Sequence, residues 1–429
     1  MPSNFLDGCA QAIEEIVKFS MRGWIIMSGA TFILCFCLTA MILYAVNNPF
    51  ILDASRREKC LLALCVAAAA AALIVIFDAV TSEGIILRFA ARNGYTRIAR
   101  LSMAMGKNAN AITATGRTIL MDAARFGRTD MVNLLLDNGV DINATDRVGK
   151  TALMEAAEYG HHPVAKLLLE HGADVNASDK NGCFALGRAS AKGNAGLVFA
   201  LLEHGANANQ ADLEGWTPLM EAASRGFEEI AILLIERGAD INAVEKNANT
   251  ALGFSIKSNS TVITPLPTKY GNVLFRVAIG GGHGNMVRLL LDRGARANVA
   301  NNDGWTPLME AAARGFTGIA ALLLERGADI HAAERNGNTA LGLAVISRQG
   351  EVAKLLLDKG ARVNVANKDG RTPLMEAAAR GGAGVVALLI EKEADVNAKN
   401  KAGRTALQLA EEKGYSQIAE ILKAAGAEE

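Results

Sequence analysis

Histidine side chains at regular spacing are the first candidates for chemistry in this 429-residue sequence. His171 and His204 have the same spacing as Gly149 and Gly182, so a periodic fold would stack them as two metal ligands. Two histidines without further ligands make a poor zinc site. Basic residues fill the same position, just before a glycine, elsewhere in the chain: Arg237, Arg293, Arg326 and Lys359. A cation there complements the negative end of a helix dipole, so we predict helix capping and no metal site.

A column of acidic residues is the second candidate. It consists of Asp122, Glu155, Glu221, Glu310 and Glu376. Such a column could bind cations or basic peptides. Three of these glutamates are followed one helical turn later by an arginine, as in Glu221–Arg225, Glu310–Arg314 and Glu376–Arg380. Glutamate before arginine at this spacing favours an ion pair within one helix, so we predict ion pairs on exposed helix faces.

The sequence contains no arrangement typical of an enzyme. A G-x-S-x-G nucleophile motif is absent, and serine, histidine and aspartate recur at repeated positions instead of forming one unique site. The glycine-rich stretch 280–284 is not followed by the Lys-Ser/Thr pair of a phosphate-binding loop. We predict a protein that is not an enzyme and has no cofactor.

Charge and cysteine content narrow the class further. The chain has 44 basic and 44 acidic residues, so no net field attracts nucleic acid, and we predict no nucleic-acid partner. Cys183 is the only cysteine after residue 65, which excludes an intrachain disulfide in the larger part of the chain. Aromatic residues make up only 5%, which favours close-packed helices rich in alanine and leucine.

Two long uncharged runs near the N-terminus predict a membrane anchor. Neither 24–46 nor 60–77 contains a charged residue. A helix of about 20 residues crosses a hydrocarbon core of about 30 Å, and the second run is close to the lower length limit. We therefore predict a transmembrane hairpin in the lipid bilayer at 24–80, with spans at 24–46 and 60–77. A buried hairpin of a soluble protein is the alternative.

The flanks of this hairpin indicate its orientation. Residues 1–23 place apolar side chains at helical spacing and form a predicted amphipathic segment, on the membrane surface or against a second subunit. The flanks contain Lys18, Arg22, Arg88, Arg92, Arg97 and Arg100, whereas the linker contains Arg56, Arg57 and Lys59. Because basic residues favour the cytoplasmic side, we predict an integral membrane protein whose C-terminal domain is cytoplasmic.

An internal repeat fills the rest of the chain. The phrases GWTPLMEAASRG, GWTPLMEAAARG and GRTPLMEAAARG begin at Gly215, Gly304 and Gly370. Threonine before proline begins a helix, and glycine ends one, so each unit contains two short helices. One such pair cannot bury its own apolar faces, and therefore the units must stack.

These phrases resemble the ankyrin repeat, whose consensus runs G-x-T-P-L-H-x-A-A and later G-A-D-V-N-A. The resemblance covers about 112–429, with a weaker unit at 79–111, and it places an ankyrin domain at 81–429. It implies an all-α solenoid of about ten helix-turn-helix units, with β-turn fingers projecting from a concave face. Together with the predicted transmembrane pair, this is the expected fold class. The usual role of the family implies protein binding.

The sequence departs from that consensus in two ways. Methionine replaces the family's histidine at four positions, Met154, Met220, Met309 and Met375, which exchanges a polar link for an apolar contact. One unit is also interrupted, because the stretch 244–299 is much longer than one repeat. Its first helix could be 249–256 or 272–279. We predict an insertion at about 257–271.

Residues just after the finger glycine are the candidate protein-binding residues. Two of them are Trp216 and Trp305, and the others are basic: Arg117, Lys150, Arg371 and Arg404. Tryptophan and arginine are enriched at interface hot spots. We predict a partner site at about 211–332, although each tryptophan could instead pack on its neighbour.

The sequence is consistent with two functions. The first is a membrane-anchored adaptor that binds a protein partner. The second is a homo-oligomeric membrane assembly, channel-like, with the ankyrin domain as a sensor. The first span offers few polar residues to line a pore, only Ser28, Thr31 and Thr39, and this favours the adaptor.

Overall fold

The computed structural model describes residues 85–104, 106–257 and 284–428. The chain divides into two compact units, one of 1–90 with 97–111 and one of 91–96 with 112–429. Among the described residues, none of the helices combines the length and apolarity that a membrane crossing requires. The predicted spans at 24–46 and 60–77, and the amphipathic segment at 1–23, lie outside those residues.

The described residues form twenty α-helices in ten pairs. The first helices of the pairs are α1 Ile85–Asn93, α3 Ile119–Arg125, α5 Ala152–Tyr159, α7 Ala185–Lys192, α9 Pro218–Arg225, α11 Ala251–Lys257, α13 Pro307–Arg314, α15 Ala340–Ile346, α17 Pro373–Ala379 and α19 Ala406–Glu412. The second helices are α2 Thr96–Ala104, α4 Thr129–Asp137, α6 His162–Glu170, α8 Ala195–Glu203, α10 Glu228–Glu236, α12 Gly284–Asp292, α14 Thr317–Glu325, α16 Gly350–Asp358, α18 Ala383–Glu391 and α20 Ser416–Ala424. The predicted count of about ten helix-turn-helix units is confirmed.

Local sequence explains where the first helices begin and end. In α9 the Thr217 hydroxyl accepts a hydrogen bond from the Met220 backbone N–H at 3.3 Å, and Pro218 occupies the first turn, where its missing N–H costs nothing. Gly226 ends the helix with φ 74°, a left-handed conformation that glycine adopts readily. The same threonine cap begins seven other first helices, those after Thr118, Thr151, Thr250, Thr306, Thr339, Thr372 and Thr405.

Stacking of successive units buries the apolar faces in two layers. From α3 onward, each first helix packs against the first helix of the next unit, and each second helix against the next second helix. Met154, Met220, Met309 and Met375 are at most 1% exposed, which confirms the predicted apolar contact at the position of the family's histidine. These buried faces supply the main stabilisation, because neither helix of a pair is long enough to be stable alone.

The interrupted unit keeps its place in the stack. Helix α11 packs against both α9 and α13, and α12 pairs with α11 as the second helix. The first helix of this unit is therefore Ala251–Lys257, in agreement with the candidate at 249–256. The candidate at 272–279 and the predicted insertion beyond residue 257 lie outside the described residues.

Candidate protein-binding surface

Each finger turn is held by one polar side chain at its base. In the unit of α9, one carboxylate oxygen of Asp212 accepts hydrogen bonds from the backbone N–H groups of Glu214 and Trp216, both at 2.9 Å. Gly215 lies between them with φ 87°. Equivalent side chains hold the other fingers: Thr113, Asp146, Asp179, Glu245, Asn301, Glu334, Asn367 and Asn400. The finger conformation is thus fixed locally, as in an Asx-turn.

Backbone hydrogen bonds join each finger to the next one. The Lys246 N–H donates to the Glu214 carbonyl at 2.9 Å, and the Asn302 N–H donates to the Asn247 carbonyl at 2.8 Å. The second bond joins the fingers on either side of the interruption. The fingers from Thr115 to Lys401 therefore form one continuous row, which we call the finger row.

Asparagine side chains form a second ladder at the ends of the second helices. Asn209 accepts a hydrogen bond from the Asp240 N–H at 2.6 Å and donates one to the Gly238 carbonyl at 2.9 Å. The same pair of bonds recurs at Asn176, Asn242, Asn298, Asn364 and Asn397. His331 occupies this position in one unit, and an imidazole cannot reproduce both amide bonds.

The two tryptophans of the candidate site are half-buried at the base of their fingers. The Trp216 ring lies over the Phe254 ring in α11 of the next unit, with 4.2 Å between ring centroids and 33° between planes. Trp216 therefore packs on its neighbour, which is the alternative considered from the sequence. Trp305, together with Asn249, Gly253 and Glu310, lines a small cleft of about 10 Å³ between two fingers, enough for about one water molecule.

The basic candidates are paired within the protein. Arg117 donates to Glu155 of the next unit at 2.8 Å, and only 19% of its side chain is exposed. Burial lowers the pKa of Arg117, but the hydrogen bond and charge of Glu155 outweigh it, so the pKa is raised overall. Lys150 pairs with Glu158 at 2.9 Å. Each of these two residues is therefore directed towards a first helix and is paired there.

The other two basic candidates follow the same geometry. Arg371 pairs with Glu376 of its own first helix at 3.3 Å, and Arg404 pairs with Glu412. Arg404 is the most open of the four, with 42% of its side chain exposed. The structure brings none of these cations into one cluster with the tryptophans, because the candidates lie in different units of the stack.

The predicted ion pairs of the acidic column are present, but most of the carboxylates are not on exposed faces. Glu310 pairs with Arg314 at 2.6 Å and Glu376 with Arg380 at 3.2 Å, while only 7% and 6% of these glutamates are exposed. Glu155 is 1% exposed. The expectation of surface pairs is corrected on this point, since neighbouring first helices cover the column.

Glu221 is less well compensated by cations than Glu376. It pairs with Arg225 at 3.2 Å, whereas Glu376 has both Arg371 and Arg380 beside it. Burial raises the pKa of Glu221, and the charge and hydrogen bond of Arg225 offset this only in part. The difference arises because Trp216 stands at the finger base, where the unit of Glu376 has Arg371.

The histidines cap helices, as predicted. His171 ends α6 and its Nδ1 lies 2.9 Å from the Leu167 carbonyl. His204 ends α8 in the same way, 2.8 Å from the Ala200 carbonyl. In the part of the chain that the structure describes, no group of three histidine, cysteine or acidic side chains is placed to hold a metal ion.

One exposed residue of the finger row was missed from the sequence. Leu213 lies at a fingertip with 62% of its surface exposed. The first finger has Ala114 at this position, and seven other fingers have polar residues there: Arg147, Lys180, Lys246, Asn302, Arg335, Lys368 and Lys401. Aligning the repeats would have identified Leu213, because it is the one large apolar residue at this position. Leu213 and Trp216 lie in the same finger.

Comparison with known proteins agrees with this architecture. The family profile described as Ankyrin repeats (3 copies) matches residues 87–179, 186–270, 243–334, 274–367 and 360–429. No curated protein matches the chain. The profile covers far more than half of the sequence, and its matches span the helix pairs of the structure. The chain therefore belongs to the ankyrin-repeat family.

Proposed function

We propose that this protein is a membrane-anchored adaptor whose finger row binds a protein partner at the inner membrane face. The observation that carries the proposal is the unbroken finger row. Its backbone groups bond to one another, even across the interruption. A binding surface whose backbone is already ordered loses little conformational entropy when a partner docks.

The finger of Leu213 and Trp216 is the best candidate for the centre of this surface. It differs from the other fingers by an exposed leucine at the tip and a tryptophan stacked on the next unit at the base. Apolar and aromatic side chains that are held rigidly contribute most to interface energy. The stacking of Trp216 on Phe254 holds the indole in one orientation and leaves part of it open to solvent.

The anchor rests on the amino-acid sequence. The uncharged runs at 24–46 and 60–77 are long enough to cross a bilayer as helices. Tethering would concentrate the ankyrin domain at one membrane face and raise its effective concentration for a partner there. A reporter that is active only in the cytosol, fused after Glu429, tests the orientation, and an inactive reporter on an inserted protein would contradict it.

Binding is proposed rather than catalysis. Charged side chains on the described first helices and at the finger bases pair with one another. The cleft beside Trp305 and Glu310 has room for about one water molecule. An oligomeric assembly through the membrane segments is the second candidate. It predicts that the main crosslinked species is the protein itself.

A crosslinked pull-down from native membranes tests the adaptor. Wild type is compared with Leu213→Lys, which introduces the residue already present at Lys180 and Lys246, and with Trp216→Ala. Phe254→Leu is an intermediate variant, since it weakens the Trp216 stacking without removing the indole. We expect specific partners to be lost with Leu213→Lys and Trp216→Ala, and to be recovered in reduced amount with Phe254→Leu, because the indole remains but is held less rigidly. Partners retained by all three variants would exclude this finger as the site.

A further inference from the structure

Helix α2 exposes apolar side chains whose equivalents in most other units are less exposed. Ile98 is 40% exposed and Leu101 is 63% exposed. In α14 the equivalent residues are Ile319 and Leu322, and each is only 6% exposed. Second helices such as α12 and α14 pack against each other along the stack. In α2 these two side chains remain open to solvent.

Two arginines share the exposed surface of α2. Arg97 and Arg100 are exposed, and no ion-pair partner lies near either of them among the described residues. Arg88 and Arg92 are different. Arg88 is buried and donates to the Ala111 carbonyl at 3.2 Å, while Arg92 pairs with Asp122 at 3.3 Å. Among the described residues, Arg97 and Arg100 are therefore the two of these four arginines whose side chains are not held by a carbonyl or a carboxylate group.

The position of α2 in the chain links this surface to the membrane. The second uncharged run ends at Phe77, and only a short connection separates it from Ile85, where α1 begins. A connection of this length spans at most about 25 Å when fully extended. Apolar side chains flanked by arginine are typical of helices that lie in the headgroup region of a bilayer. Anionic headgroups attract arginine at that depth.

We infer that α2 lies on the bilayer surface, with Ile98 and Leu101 inserted among the lipids and Arg97 and Arg100 bound to anionic headgroups. This inference rests on the proposed membrane anchor. It goes further because it gives helix α2 a lipid-binding role. The contact would hold α2 against the membrane surface.

Photocrosslinking of the full chain in vesicles tests the inference. Benzoylphenylalanine replaces Leu101, and in a second protein it replaces Leu213, an equally exposed leucine at 62%. The vesicles contain a clickable phospholipid, with or without phosphatidylserine. We expect lipid adducts at position 101 and not at position 213. An Arg97→Gln/Arg100→Gln variant should lower the labelling by about fivefold for each arginine in phosphatidylserine vesicles only.

The outcomes separate the inference from the anchor. If the chain resists an alkaline carbonate wash but position 101 forms adducts only with protein or water, the inference is overturned and the anchor stands. Equal lipid labelling at positions 101 and 213 also overturns it. A chain that is washed from the vesicles overturns the anchor and the inference together.

Discussion

Replacing Ala248 by glycine should stabilise the junction between the interrupted unit and the next one. Ala248 has φ 62°, a left-handed conformation, at the finger position where glycine stands in the units on both sides, Gly215 and Gly304. An L-residue with a Cβ pays about 1–2 kcal/mol there relative to its preferred conformations. The greater freedom of glycine in the unfolded chain offsets about 0.4–1 kcal/mol of that gain. We therefore expect a net local stabilisation of about 1 kcal/mol.

The short contacts around the neighbouring finger glycines support a stabilisation of this size or larger. A Cβ added at Gly215 would lie 2.9 Å from the Cα of Glu245 in the next finger, and one at Gly304 would lie 3.1 Å from the Cα of Glu334. Contacts this short force a shift of the neighbouring backbone. The methyl group of Ala248 occupies the equivalent place, so its removal should also relax the link between the fingers.

Hydrogen exchange measures this effect where it occurs. The Asn302 N–H donates to the Asn247 carbonyl beside Ala248, so its protection reports local opening of the junction. A stabilisation of about 1 kcal/mol slows its exchange about fivefold. Gly215→Ala is the matched control, and it should speed exchange of the Lys246 N–H by at least that factor. Unchanged or faster exchange at Asn302 in Ala248→Gly would refute the strain argument.

The remaining predictions concern the asparagine ladder and the buried polar groups. His331→Asn should restore both hydrogen bonds of the asparagine ladder and stabilise that junction by about 1 kcal/mol. Hydrogen exchange of the Arg362 N–H should then become slower, and an unchanged rate would show that the ladder is not stabilising. Glu155→Gln should lower the free energy of unfolding by about 1–3 kcal/mol, because it removes the buried charge that lies 2.8 Å from Arg117. At neutral pH, Glu221→Gln should lower the free energy of unfolding by less than Glu155→Gln does. The pKa of Glu221 is raised in the folded protein. The free energy of unfolding should therefore fall as pH rises from the pKa of the unfolded state to that of the folded state. Glu221→Gln should remove this pH dependence from the urea-unfolding midpoints. Burial, together with the nearby charge of Asp179, raises the pKa of the Cys183 thiol. Iodoacetamide should therefore alkylate Cys183 more slowly than free cysteine at neutral pH, and equal rates would contradict this prediction.

Local features of each unit are predictable from the sequence because they depend on neighbours in the chain. Thr217, Pro218 and Gly226 mark the ends of α9, and a threonine or glycine at the same position marks the ends of most first helices. The Glu-to-Arg pairs within a helix follow from spacing alone. The strained positions can also be found by aligning the units. The residues with positive φ are Ala248, Arg348 and Glu393, and each stands where most units have glycine.

Contacts between units are what the sequence did not reveal. Trp216 meets Phe254, and Arg117 meets Glu155, in each case a residue of the next unit. These contacts form because the base of a finger lies against the first helix of the next unit. A pattern within one unit does not show such a contact. The burial of Glu310 and Glu376 has the same origin, because a helix surface that is exposed in one unit is covered when the next unit stacks on it.

The amino-acid sequence alone is sufficient to identify the repeat, most helix boundaries and the family, because each unit carries its own caps, turns and apolar faces within a single period. It does not reveal which side chains remain available for a partner or a membrane. That availability is a property of the stacked array, since exposure depends on the neighbouring unit, which covers most finger-base cations and the acidic column. Stacking leaves Leu213 open to solvent at a fingertip, and Ile98 and Leu101 are exposed on α2.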